Sequence, residues 1–249
     1  MEIPTKKGTI ISLVGAGGKT HLAYLLAKKA ATEGLRVVIT TTTRLQPPSE
    51  DHIAVHDSRI PVVIAHTLSE FSALCTLEPG DQVLLTSKKD KELERLIGIP
   101  TIMPRDLITN GLADIVICEA DGARLLPLKM YAPHEPVPAI GTTDLITVAG
   151  LDAVNTVISD ATVFRPELVR GAAKADTLHP SAFARVVRAL DEGAAVHAPG
   201  AVRYVVLNKL DTVGADVVRE VCAELPDALL SSFKRDGLVF DMCRNFAMD

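Results

Sequence analysis

Apolar residues in this chain fall into short unbroken runs, separated by stretches with helical spacing. Residues 9–13, 36–40, 82–87, 113–118, 144–150 and 201–207 are runs of the first kind, with a shorter one at 61–65 and a last one at 229–233. Continuous apolar character without alternation is what a strand buried on both faces requires. Between the runs, residues 21–29, 68–77, 104–110, 181–189 and 215–225 carry helical patterns. Gly34 stops the first of these and Gly111 the third. Pro166, after Phe164 and Arg165, opens a further helix near its start. Ser181 is expected to cap the next, whose apolar face is Ala182, Val186, Val187 and Leu190. The charged stretch 88–97 reads as a solvated surface helix, residues 46–60 as a Pro-containing loop, and residues 237–249 as a short closing helix. Strand, helix and strand in succession predict a parallel sheet with right-handed crossovers.

The first crossover carries chemistry. Gly15-Ala16-Gly17-Gly18-Lys19-Thr20 lies between the first strand and the first helix. Glycines allow positive φ and let the backbone turn its N–H groups inward. Those groups, with the positive end of the helix, suit a polyphosphate. Lys19 can reach the β and γ phosphates, and the Thr20 hydroxyl can ligate Mg²⁺. The usual pattern asks for a further glycine where Leu13 stands. The shorter loop resembles that of the Mur and folylpolyglutamate ligases. With this loop, the fold class is α/β, a P-loop NTPase-like, mostly parallel sheet flanked by helices on both faces.

Three other strand exits add polar groups, and in open α/β sheets ligands sit outside those ends. Thr40 to Thr43 follow the second strand, where Thr41 and Thr42 can offer hydroxyls to phosphate or Mg²⁺, or simply suit strand structure. Glu119-Ala120-Asp121-Gly122 ends the strand at 113–118. Its carboxylates can hold the hydration shell of Mg²⁺; Glu119 with Gly122 can also be read as a sensor of the γ-phosphate. Asn208-Lys209-Leu210-Asp211 follows the strand at 201–207. N-K-x-D there is the guanine motif of GTP-binding proteins. An aspartate accepts from both N1–H and the 2-amino group of guanine, and adenine offers neither. Lys209 can lie along the base, Asn208 can tie the loop down, and residues 231–233 can complete the pocket. Residues 123–138 hold four prolines and cannot be a regular helix. This irregular segment carries Arg124, Lys129, His134 and Glu135. Arg124 and Lys129 can meet phosphates or an anionic substrate; His134 can ligate a metal or hydrogen-bond structurally.

Composition narrows the classes. The 249 residues, 47% hydrophobic, fit one domain over 1–249, with an irregular lobe at 123–200. The net charge of −5, without a clustered basic face, argues against a nucleic-acid binder. No apolar run is long enough to span a membrane. Lys6 and Lys7 precede an apolar run, but glycines and Lys19 break it, so a signal peptide is not expected. Cys75, Cys118, Cys222 and Cys243 form no C-x-x-C pair. They read as reduced thiols in a cytoplasmic protein.

The chain resembles the selenium-dependent hydroxylase accessory proteins of the YqeC type. The likeness rests on Gly15 to Thr20, Thr40 to Thr43, Glu119 to Arg124, Pro127-Leu128-Lys129, His134-Glu135-Pro136 and Gly150-Leu151-Asp152. One departure is Phe164 before Arg165-Pro166, where that pattern has histidine. The resemblance implies a P-loop protein that helps molybdenum hydroxylases mature, with such a hydroxylase or its maturation factors as partner. The loop, E-x-x-G and N-K-x-D together also resemble the metallochaperone GTPases. Three readings follow. One is slow Mg²⁺-dependent GTP or ATP hydrolysis in a maturation factor, with Lys19, Glu119, Asp121 and Arg124 at the reacting phosphate and GTP favoured. The second is an ATP-dependent ligase or nucleotidyl or phosphoryl transferase on a small cofactor. The third is a non-catalytic nucleotide switch.

Overall fold

The computed structural model describes residues 3–47, 60–92, 94–233, 238 and 240–246. A nine-stranded sheet runs through the molecule in the order β14-β13-β12-β10-β1-β8-β2-β5-β4. Its strands are β1 (Thr9–Gly15), β2 (Val37–Thr41), β4 (Val62–Ile64), β5 (Gln82–Thr86), β8 (Ile115–Glu119), β10 (Asp144–Gly150), β12 (Val202–Asn208), β13 (Leu229–Leu230) and β14 (Asp241–Met242). Every neighbouring pair is parallel except β13 with β14. The expected α/β class, a mostly parallel sheet with helices on both faces, is the one observed.

The unbroken apolar runs are explained by burial on both sides. Ile11 and Leu13 of β1, Val37 and Ile39 of β2, and Ile115 and Ile117 of β8 join one core, under helix α1 (Lys19–Thr32). The alternate residues Val38 and Val116 face the opposite side, toward α2 (Leu68–Leu74) and α3 (Met103–Thr109). Further along that second face, α4 (Pro166–Ala173), α5 (Pro180–Ala195) and α6 (Ala215–Glu224) form the largest core, around Phe183, Val187, Leu190 and Val221. Each such side chain taken out of water contributes about 1.5–3 kcal/mol.

Three local expectations are corrected. Residues 88–97 are not a helix. They form β6 (Lys88–Asp90) and β7 (Arg95–Ile97), an antiparallel hairpin that joins β3 (Arg44–Leu45) in a small sheet. The stretch is charged but has no apolar helical stripe, and Glu94, at φ 47, turns the chain back. Ser181 does not cap α5; Pro180 is already its first residue, and His179 precedes it without a side-chain cap. The closing segment begins with β14 before the single turn α7 (Cys243–Phe246), so the strand at 229–230 is not the last. Of the loop expected at 46–60, residues 48–59 lie outside the described residues.

Two short strands carry the irregular segment after β8. In β9 (Leu128–Lys129) and β11 (Val163–Phe164) the chain pairs parallel, Lys129 opposite Phe164. Residues 123–138 are thereby fastened beside the carboxyl ends of the central strands.

Candidate nucleotide site

Register places the candidate residues on one edge. Glu119 ends β8 beside Leu13 of β1 and Thr41 of β2; Gly15 ends β1 beside Val148; Gly150 ends β10 beside Asn208 of β12. Five adjacent strands therefore deliver their carboxyl ends to a common rim, where open α/β sheets hold ligands.

The glycine loop is tightly enclosed. Gly17 and Gly18 have φ 83 and 131, which a residue with a Cβ rarely adopts. A Cβ on Gly17 would also lie 2.9 Å from the Pro127 carbonyl, and one on Gly18 would collide with the Asn208 amide. Ala16 N–H donates to the Val148 carbonyl at 2.8 Å, which ties the loop to β10. Lys19 opens α1 and is 5% exposed. Its ammonium donates to the Gly15 carbonyl at 2.6 Å and pairs with Asp121 Oδ1 at 3.0 Å.

Asp121 is the centre of a buried charge chain. Its Oδ2 accepts from Gly15 N–H at 2.9 Å and faces the Lys129 ammonium at 3.2 Å. Lys129 is fully buried; it donates to the Gly122 carbonyl at 2.7 Å and to Glu135 at 2.8 Å. Arg165 Nη1 completes the chain, 2.6 Å from Glu135 and 2.9 Å from the Met130 carbonyl. Burial opposes ionisation of Glu135, but the bonds from Arg165 and Lys129 outweigh it and hold its carboxyl below the ordinary value. Charges sequestered this way depend on one another, since each would cost several kcal/mol alone, on the order of 3–5.

Glu119 stands apart from that chain. It is 7% exposed, and burial raises its pKa, against the opposing pull of Lys19 and of the Thr20 hydroxyl. A buried carboxylate held toward its neutral form beside a threonine hydroxyl fits a divalent cation, which would restore its charged state. Among the described residues no cluster of three or more His, Cys, Asp or Glu side chains converges as a metal cage. His134 is exposed and joins no such cluster.

The threonine run is engaged by backbone. Thr40 donates to the Leu85 carbonyl, Thr41 to the Glu119 carbonyl at 2.7 Å, and Thr42 to the Val137 carbonyl at 2.5 Å. These hydroxyls fasten the β2 exit to its neighbours. Arg124 is exposed and stacks 4.8 Å above the Phe164 ring.

Asn208 joins the two halves of the rim. Its amide donates to the Gly17 carbonyl at 2.7 Å and its oxygen accepts from Phe233 N–H at 3.1 Å. Lys209, in left-handed backbone at φ 67, pairs with Asp152 at 2.6 Å. Asp152 Oδ1 is buried with no hydrogen-bond partner among the described residues. Asp211 is exposed, and its carboxylate accepts from the Ser232 hydroxyl. The motif residues and residues 231–233 thus meet at one place, joined to the glycine loop through Asn208.

Lys129, expected to meet phosphate or an anionic substrate, instead has its ammonium held by Asp121, Glu135 and the Gly122 carbonyl, and the part that Arg165 plays beside them was not expected. The proline-rich segment directly after Asp121 carries Lys129 and Glu135, but the pairing of β9 with β11 that brings Phe164 and Arg165 to them is long-range.

The described residues contain no helix long and apolar enough to cross a membrane. The YqeC protein family model matches residues 11–167. The protein YqeC of Escherichia coli (strain K12) is 32% identical over 162 residues, covering 64% of this chain and 59% of that relative. The match thus spans less than two thirds of the relative's own length. Lys19, Glu119, Asp121, Lys129, Glu135 and Arg165 all fall within the matched region, and Asn208 to Asp211 fall beyond it. The chain belongs to the YqeC family.

Proposed function

We propose that this protein is a Mg²⁺-dependent GTP-binding accessory factor with slow hydrolysis, acting in the maturation of a molybdenum hydroxylase. The observation that carries the nucleotide reading is the Asn208 bridge between Gly17 and Phe233. It holds a phosphate cradle and a candidate base pocket at a fixed separation. The loop N–H groups and Lys19 receive the phosphates, and Lys19 exchanges Asp121 for them. Thr20 and Glu119 hold Mg²⁺ together with phosphate oxygens, since Mg²⁺ in such sites takes one or two carboxylates and keeps several waters. Asp121, already engaged by Gly15, Lys19 and Lys129, positions the loop rather than the metal. Asp211 selects guanine. The maturation role is supported by the Glu119 to Arg124 block and by membership of the YqeC family.

Calorimetric titration with GTP, GDP and ATP, each with Mg²⁺, tests this. Two charge-assisted bonds to guanine favour GTP over ATP by about 100-fold. Equal binding of ATP and GTP would remove the guanine assignment and move an ATP-dependent ligase or transferase ahead.

A further inference from the structure

Directly after Asp121 the chain makes a strained turn. Arg124 and Leu125 are both left-handed, at φ 50 and 64, and Leu126 N–H donates to the Ala123 carbonyl at 3.0 Å. Such backbone costs on the order of 1 kcal/mol or more for each residue with a Cβ. Arg165, across from it, is also left-handed, at φ 63.

These turns bring three cations to one ring. The Phe164 centroid lies 4.3 Å from the Arg165 guanidinium, 4.8 Å from that of Arg124 and 5.6 Å from the Lys129 ammonium. Two of the three are neutralised, Lys129 by Asp121 and Glu135, and Arg165 by Glu135. Arg124 is exposed and meets no carboxylate among the described residues. Among the described residues, Arg165 meets the Met130 carbonyl and Glu135 through Nη1. A solvated surface arginine needs neither a platform nor strained backbone; this one has both. The turn also abuts the phosphate loop, because the Pro127 carbonyl accepts from Gly150 N–H at 2.8 Å and lies against Gly17.

We infer that Arg124, set on Phe164 and backed by Arg165, is a second oxyanion site, which takes the phosphate or carboxylate group of a small-molecule reactant beside the nucleotide. A guanidinium fork matches both groups, and positive charge is in surplus there. Four cations, Lys19, Lys129, Arg124 and Arg165, stand against the three carboxylates of Asp121, Glu135 and Glu119. The inference depends on the nucleotide reading only for its neighbour.

Side-chain Nε–H signals of the arginines, in proton–nitrogen correlation spectra of the whole protein, test it. Inorganic phosphate and succinate are titrated separately, with sodium chloride as control. The amide signals of Gly17 and Gly18 report the phosphate loop in the same spectra. The expected result is a saturable shift of the Arg124 and Arg165 signals with one of the two anions, at a midpoint different from that of the loop amides. Arg124→Gln weakens the Arg165 response about tenfold and leaves the loop response unchanged. Phe164→Leu, which keeps both arginines, weakens it in the same direction. A linear drift equal to that with chloride overturns the site. So does a shift of the Arg124 signal to the same endpoint by Mg²⁺–GTP alone, which would make Arg124 a γ-phosphate ligand. Failure of GTP to bind leaves the anion result standing, so the two readings fail separately.

Discussion

Of the two ends of the rim, proposed above to take the phosphates and the base, the phosphate end holds Lys19, Asp121 and Lys129, at most 5% exposed and each charge met by another. At the base end, Asp211 stands in solvent with one hydroxyl bonded to it, and the neutral Asn208 carries the connection. Buried charges fix the shape of their surroundings, because removing one strands the others in a medium that cannot solvate them. An exposed carboxylate costs little to keep or to change. The phosphate end is therefore built into the stability of the fold, and the base end is adjustable. The matched family region, residues 11–167, contains the first and stops before the second.

The most severe way to break the contrast is Lys129→Met. Met has similar length, but Asp121 and Glu135 lose a shared buried partner. The expected loss is about 3–5 kcal/mol, read from urea unfolding. A loss below about 1 kcal/mol would mean that the chain of charges is not what holds the loop.

Next in size is Asn208→Ala. It leaves the Phe233 N–H and the Gly17 carbonyl without their partner, for about 1–3 kcal/mol. Affinity for GTP and ATP should fall together, since the bridge serves the cradle and not the choice of base. A selective loss of GTP alone would place Asn208 against the base instead.

Two carboxylates of the phosphate end, Glu119 and Glu135, sharpen the comparison because their pKa values are displaced in opposite directions. Glu119 has its pKa raised by burial, so its favourable contribution is present below the unfolded value and is lost as pH rises through the folded one. At neutral pH the nucleotide-free protein carries the penalty. Glu119→Gln should stabilise it by about 1 kcal/mol, with the gain disappearing below about pH 4. Glu135 is held low by Arg165 and Lys129 against its burial, so its contribution is present at neutral pH and lost as pH falls through the folded value. Glu135→Gln should destabilise at pH 7 and change nothing in strong acid. Parallel pH profiles for the two variants would contradict these environments. The same Glu119→Gln protein should lose Mg²⁺-dependent tightening of nucleotide binding, which a purely structural glutamate would not affect.

How far the sequence reaches follows the range of the interactions. The parallel sheet is legible because a strand covered on both faces needs an unbroken apolar run, as in Ile115 to Cys118. The glycine loop is legible because its requirements lie within six residues. Charge without periodicity misled at residues 88–97, where pairing with β3 decides the structure. The buried chain is illegible locally. Lys129, Glu135 and Arg165 become partners only when β9 finds β11, and an Asp at a strand exit looks the same whether it faces a metal or an ammonium. Thr41 and Thr42 show the same limit, since their hydroxyls go to carbonyls of neighbouring segments that no spacing rule identifies.

The smallest effect on stability, and the sharpest on specificity, belongs to Asp211→Asn. The residue is exposed, and an amide oxygen can still accept from the Ser232 hydroxyl. Stability should therefore change by less than about 0.5 kcal/mol. The chemistry at the base changes completely, because an amide presents one acceptor and one donor where guanine N1–H and its 2-amino group require two acceptors. GTP affinity should fall about 100-fold while ATP affinity holds. Calorimetry and thermal melting on one preparation read both quantities. A melt lowered by several degrees with base preference intact would make Asp211 a brace for the loop at Ser231 to Phe233. The difference between the two ends of the rim would then be one of exposure alone, with no division of labour between holding phosphate and choosing the base.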